Sequence, residues 1–275
     1  MRLLSTVTNS VLGTHSPDAH PISVVDVGDA LSIYNARFRD TPGYFMDEAI
    51  AMWDFLLLQQ AGSGIQGNFL EIGVFGGKSA YLGAVHMRQD ETCLLVDVGD
   101  ITPVAARIHE ELKRTTLVVN ARSDDPAAER QLAAYLGTVR WFHIDGDHSG
   151  FSAANDLRLA DRFLAAGGII CVDDFFNPRY PQLSAAVYKF LFDHSFSYRI
   201  VLCGMNKCYL VRTVDYGFYE GLIRKYLFGH LSGLGYSVLV SKSSWVHDMG
   251  CFAVLSRYVD VNLLGRDEDP EDIPF

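Results

Sequence analysis

The feature that most constrains this chain is a rhythm between about residues 68 and 213, where short apolar runs take turns with helix-like segments. The runs Asn68 to Ile72, Thr92 to Asp97, Thr116 to Val119, Val139 to Ile144 and Gly168 to Val172 have the length and composition of buried strands. A hairpin, Tyr198 to Leu202 with Lys207 to Val211, closes the series. Strands separated by helices require crossover connections, so the spacing predicts an α/β fold: a doubly wound, mostly parallel, seven-stranded sheet with helices on both faces. Each of the first five runs ends in polar residues or glycine, and such sheets keep their ligands outside the carboxyl ends of the strands.

The flanks read differently. Residues 1 to about 40 carry scattered His, Pro, Asp and Gly and no steady period, which predicts irregular structure. From Thr41-Pro42, a cap and first-turn pair, Phe45, Ala49, Met52, Trp53 and Leu56 recur at helical spacing. Beyond Thr213 the pattern predicts a helix over Tyr216 to Phe228 stopped by Gly229, two strand-like runs at Ser237 to Val240 and Cys251 to Leu255, and an acidic tail, Asp267 to Phe275. The aromatic stripe Tyr216, Phe218, Tyr219, Tyr226 and Phe228 reads as ordinary core. The expected division is an N-terminal irregular and helical cap over 1–67, a ligand-binding domain over 68–213 and an extension over 214–275.

With 49% hydrophobic residues in 275, the chain buries a full core. The net charge of -10, from 33 acids against 23 lysines and arginines, disfavours a nucleic-acid partner, which needs a cationic face. Five cysteines, odd in number and without a CxxC pair, offer neither a disulfide framework nor a thiolate zinc site, and fit a reducing, cytoplasmic setting. No run approaches the apolar length of about 20 residues that spans a bilayer, so no membrane partner is expected. The apolar flanks leave a homo-oligomer open.

Phe69 to Ser79, FLEIGVFGGKS, sets an apolar strand before a glycine-rich turn and a helix start. Twenty positions past Gly77, Asp97 closes the next strand, where a carboxylate accepts hydrogen bonds from both hydroxyls of a ribose. A dinucleotide fingerprint wants GxGxxG, whereas here three residues separate Gly73 from Gly77 and Glu71 stands just before them. This acid-x-Gly-x-x-x-Gly stretch resembles the first motif of class I methyltransferases. Their donor, S-adenosylmethionine, has no pyrophosphate but carries an ammonium and a sulfonium, which Glu71 complements. Ser79 opens the helix, and Ser123, after the third strand, is the candidate for the adenine. A plain strand-to-helix turn and a solvated Ser/Asp cap remain the alternatives.

Two further strands end in carboxylates: Trp141 to Ser149, WFHIDGDHS, and Ile169 to Phe176, IICVDDFF. In the usual strand order these are neighbours, so Asp145, Asp173 and Asp174 meet at one rim and repel one another unless a cation sits between them. All-oxygen ligation favours Mg²⁺, Mn²⁺ or Ca²⁺ over zinc. Asp145 also borders the donor pocket. His148, three residues beyond Asp145, is the candidate general base, because free imidazole, with a pKa of roughly 6.5, suits proton transfer near neutrality. Helix caps at Asp147, Ser149, Asp173 and Asp174 are the bland alternative, and His143, inside its strand, reads as a hydrogen-bonded core residue.

Together, EIGVFGGKS, IDGDH and VDDFF resemble the metal-dependent O-methyltransferase group that includes the macrocin-type enzymes of antibiotic sugar methylation, over residues 68 to about 213. The resemblance implies a Rossmann-like methyltransferase fold, Mg²⁺ held by Asp145, Asp173 and Asp174, and His148 as base. It implies methyl transfer from S-adenosylmethionine to a hydroxyl of a small molecule such as a sugar or phenol. The competing readings are a cofactor-binding or assembly protein of the same fold without activity, and a NAD-dependent oxidoreductase, for which no hydride-chemistry pair is evident.

Overall fold

Period-two alternation with both phases apolar marks strands buried on two faces, and the chain shows it in its central runs. A computed structural model describes residues 30–195, 197–242 and 250–256. Most of the irregular N-terminal stretch and the whole acidic tail lie outside the described residues.

The strands are β1 (Asn68–Ile72), β2 (Thr92–Asp97), β3 (Thr115–Asn120), β4 (Val139–Ile144), β5 (Leu164–Val172), β6 (Tyr198–Gly204), β7 (Lys207–Arg212), β8 (Val238–Lys242) and β9 (Phe252–Ser256). They form one sheet in the order β3-β2-β1-β4-β5-β7-β6-β9-β8. The expected seven strands are its first seven members, parallel through β5 with the β6–β7 hairpin antiparallel. The last two strands of the chain then join the same sheet, β9 lying parallel to β6.

One face packs Phe69, Trp141, Ile169 and Tyr209 against α1 (Ala30–Arg37), α2 (Asp47–Gly62), which contributes Trp53, and α3 (Lys78–Val85). The other packs Leu70, Phe142 and Ile170 against α6 (Gly150–Phe163) and α7 (Pro181–Asp193). Between them run α4 (Thr102–Leu112) and α5 (Pro126–Leu132).

Two flanking expectations need correction. The helix expected from Thr41-Pro42 starts at Asp47, after Met46 in extended conformation, because Pro42 and its neighbours are drawn away to wall a cavity. Gly229 does not stop the C-terminal helix. There α8 (Tyr216–Leu222) passes through a π-helical turn, Ile223–Leu227, into α9 (Phe228–Gly233). Ile223, Leu227 and Leu231 are all buried at four-residue spacing, and that burial outweighs the local cost of a glycine with open space around it.

Strand register sorts the polar side chains into rows. Glu71 pairs with His143, His143 with Cys171, and Cys171 with Tyr209, so these side chains share one row on one face. Two residues after Glu71, His143 and Cys171 come Gly73, Asp145 and Asp173, and two before Tyr209 on antiparallel β7 comes Lys207, all at the carboxyl edge where strand order reverses between β1 and β4. Among the described residues no helix is long and apolar enough to cross a membrane.

Candidate active site

A cavity of about 1200 Å³ opens over that edge. Its wall includes the β1–α3 loop, the ends of β2 and β4, the Asp173–Asp174 corner and the Pro42–Met46 segment.

The loop glycines answer to neighbouring protein as much as to a ligand. Gly73, at φ +86°, passes so close to the end of β4 that a Cβ would overlap the Asp145 carbonyl. Gly77, at φ +84°, is the N-cap of α3, and a Cβ there would overlap Val104. Both positions need glycine for conformation and for space.

Asp97 lies on the cavity wall and braces the loop. Its Oδ2 accepts from Val74 N at 2.7 Å and Phe75 N at 3.0 Å, and its Oδ1 from Gly99 N at 2.8 Å. Two carboxylate oxygens offer about four acceptor sites, so capacity for a ribose hydroxyl remains. Ser123 also borders the cavity, but its hydroxyl donates to Asp156 Oδ1 at 2.5 Å. Burial pushes the Asp156 carboxyl up to about 6, against the opposing hydrogen bonds of Ser123 and Asn155.

Glu71 departs from expectation. It is fully buried and does not border the cavity, so its carboxyl is not at hand for the ammonium of a donor. Its Oε1 accepts from the Ser79 hydroxyl at 2.5 Å and faces His143 Nδ1 at 2.6 Å. Burial raises its pKa to about 8, against the opposing hydrogen bond of Ser79 and the charge of Lys207. The period-two rule explains the placement: two residues before Gly73, Glu71 points into the same covered face but one row deeper. Ser79, which does border the cavity, commits its hydroxyl to that acid.

At the β4–β5 edge, Asp145, Asp173, Asp174 and His148 all border the cavity. Asp145 is the centre: its carboxylate is grouped with His143 and Asp173 on one side and with His148 and Asp174 on the other, ligand atoms in each group lying within 4.8 Å of one another. Burial, then Asp173, raise the Asp145 pKa well above its ordinary value.

His148 Nε2 sits 2.9 Å from Asp174 Oδ2 and 3.9 Å from Asp145 Oδ1, with the ring stacked on Tyr180 at 4.2 Å between centroids. Asp174 adopts φ +55°, a left-handed conformation rare outside glycine. Asn177 and Asn206 donate to its Oδ1, at 2.9 and 2.5 Å, and hold it there. Two side-chain amides thus keep this strained residue in place at the cavity wall.

Sequence reasoning missed Lys207. Its ammonium is nearly buried, contacts Asp173 Oδ2 and borders the cavity, so the protein supplies one of the cations that the acid cluster requires. A lysine opening an otherwise apolar hairpin strand was the available signal. It also missed Asp156, Asn177, Tyr180 and Asn206, whose roles depend on loops.

Residues 70–175, which carry most of this geometry, match the family described as methyltransferase domain. The segment is similar to a methyltransferase domain. Its Rossmann-like fold is shared with solved methyltransferase structures. The O-methyltransferase NovP superposes with a TM-score of 0.50 at 17% identity, over 60% of this chain and 80% of its own. The MycE methyltransferase of the mycinamycin biosynthetic pathway, in complex with Mg, SAH and mycinamycin VI, gives 0.50 at 16% identity, over 68% of this chain and 53% of its own. No curated protein sequence matches the chain. Within the matched segment, Gly73, Asp97 and Ser123 line one cavity with Asp145, His148 and Asp174.

Proposed function

We propose that the domain transfers the methyl group of S-adenosylmethionine to a hydroxyl of a small molecule, a sugar, phenol or other natural-product intermediate, with His148 as general base. The observation that carries this reading is the 2.9 Å contact of His148 Nε2 with Asp174 Oδ2 on the floor of the donor cavity.

With Nε2–H donated to Asp174, the imidazole lone pair resides on Nδ1, the atom that takes the acceptor's proton. Asp174 then stabilises the imidazolium. The acceptor oxygen bonds to the methyl carbon as the carbon–sulfur bond breaks, the electron pair passes to sulfur, and the donor leaves as a neutral thioether. Asp97 accepts from the ribose, and Tyr180 fixes the plane of the base by stacking.

The donor set Asp145, Asp173 and Asp174 fits a divalent cation such as Mg²⁺, since three carboxylates face one lysine. Such an ion lowers the pKa of a hydroxyl that it contacts. The likeness to NovP, an O-methyltransferase, and to MycE, bound to Mg and SAH, supports the reading. So does volume, because about 1200 Å³ exceeds what one small ligand fills.

Methyl transfer from labelled S-adenosylmethionine to a panel of phenols and sugars tests it. His148→Ala should lower turnover by about 10² to 10⁴ while donor affinity by calorimetry stays put. Wild-type turnover in the variant removes His148 as base. The Lys207 contact favours a second reading in which the lysine alone balances the acids, and an undiminished rate after EDTA treatment selects it.

A further inference from the structure

His143 is fully buried in β4, one row beneath Asp145. Its Nδ1 meets Glu71 Oε1, which already accepts the Ser79 hydroxyl. An oxygen engaged as acceptor takes a second hydrogen bond from an N–H, so the ring proton rests on Nδ1 and the lone pair on Nε2. That Nε2 is buried and has no hydrogen-bond partner.

The same imidazole has a nitrogen grouped with carboxylate oxygens of Asp145 and Asp173, all three within 4.8 Å of one another. Ligands across an ion from one another stand about 4.2 Å apart, so small side-chain adjustments bring these three onto one centre. A histidine whose far N–H is fixed by a carboxylate is the arrangement that metal-binding imidazoles adopt.

We propose that His143, Asp145 and Asp173 form the floor of a mixed nitrogen–oxygen cation site, with Glu71 as its outer carboxylate. A nitrogen ligand shifts preference away from Mg²⁺ and Ca²⁺ toward first-row transition metals such as Fe²⁺ or Co²⁺, with Mn²⁺ more tolerant of imidazole than Mg²⁺. Asp174 and His148 face the site from its open side, and Lys207, resting on Asp173 Oδ2, shares that acid with the ion. The inference rests on the cation reading of the acid cluster and adds to it the ligand and the class of metal.

The test is Mn²⁺ and Mg²⁺ binding to the full chain by calorimetry, with pulsed electron paramagnetic resonance of bound Mn²⁺ to detect directly coupled ¹⁴N. The wild type should show a histidine nitrogen, His148→Ala should keep it and His143→Gln should lose it. His143→Gln should also weaken Mn²⁺ by about tenfold or more and Mg²⁺ by clearly less. Should the glutamine variant fail to fold, the wild type and His148→Ala spectra still decide. Mn²⁺ bound without ¹⁴N coupling, or coupling that disappears in His148→Ala, overturns the inference and leaves the cation reading standing. Absence of any divalent binding overturns both.

Discussion

Lys207 Nζ rests on Asp173 Oδ2 with only 4% and 12% of the two side chains exposed. Burial opposes the charge on Lys207, but Asp173 and Asp145 outweigh it and keep the ammonium pKa above its ordinary value. The cluster therefore carries its own permanent counter-charge at one acid, while Asp174 is engaged by His148.

Removing that lysine leaves a carboxylate almost shielded from water. Lys207→Met should cost about 3 kcal/mol or more in urea unfolding, the usual penalty for breaking a buried pair from one side. Because the stranded acid then seeks another cation, millimolar Mn²⁺ should stabilise the variant more than the wild type. Equal stabilisation of both would mean that Asp173 does not belong to a cation site.

The sheet and the acids were legible because they rest on local signals: apolar runs of strand length, and carboxylates at the ends of two such runs. Strand alternation then fixes that Asp145 and Asp173 share a face. What was not legible depended on tertiary placement. Glu71 reads as a ligand for a cationic donor by sequence position, yet its row lies one step too deep and it pairs with His143 instead. His143 reads as core, and it is core, but its Nε2 has no hydrogen-bond partner and its ring is grouped with Asp145 and Asp173, which no periodicity reveals. Thr41-Pro42 has good cap chemistry, but Gly76 packs so tightly against the Pro42 carbonyl that the segment serves the cavity wall. The Asp174 corner depends on Asn177 and Asn206, which come from different loops.

Outside the cavity lining, Asp54 of α2 sits between His86, after α3, and His230 of α9, each Nε2 lying 3.1 Å from a different carboxylate oxygen. Both contacts are off the axis of a linear hydrogen bond. Burial raises the Asp54 pKa, but His230 and His86 together overcome it and bring the value to about 2. The folded pKa is below that of the unfolded chain, so this group stabilises the fold above pH 4 and its contribution disappears as pH falls from roughly 4 to 2, about 2 kcal/mol in all. Asp54→Asn should thus lose about that much at pH 6 and nothing near pH 2, as read by urea unfolding across the range. A pH-independent difference would rule out the electrostatic link between α2 and α9.

Asp156 behaves in the opposite sense. Burial holds its pKa near 6, above the unfolded value, so the group favours the fold only while protonated and costs stability progressively from pH 4 to pH 6. Asp156→Asn keeps an acceptor for Ser123 without the buried charge. The variant should be more stable than the wild type by about 2 to 3 kcal/mol at pH 7 and equal to it at pH 4. The same gain at both values would place the cause in packing rather than charge.

The glycines give the sharpest contrast between backbone strain and lost space. Gly73 and Gly235 have almost the same left-handed φ, +86° and +88°, but a Cβ at Gly235 meets nothing within 4 Å, whereas one at Gly73 overlaps the Asp145 carbonyl. Gly235→Ala therefore strains only the backbone, by about 1 kcal/mol, and should leave S-adenosylmethionine binding unchanged. Gly73→Ala adds to that strain a push of the end of β4 away from β1, carrying Asp145 with it, since Asp145 N bonds Ile72 O at 2.9 Å. It should cost more than about 3 kcal/mol and weaken donor binding at least tenfold. Thermal unfolding and donor calorimetry on the two variants separate the cases. A Gly73→Ala protein as stable as Gly235→Ala, with donor affinity intact, would show that β1 and β4 do not need their close approach to form the site.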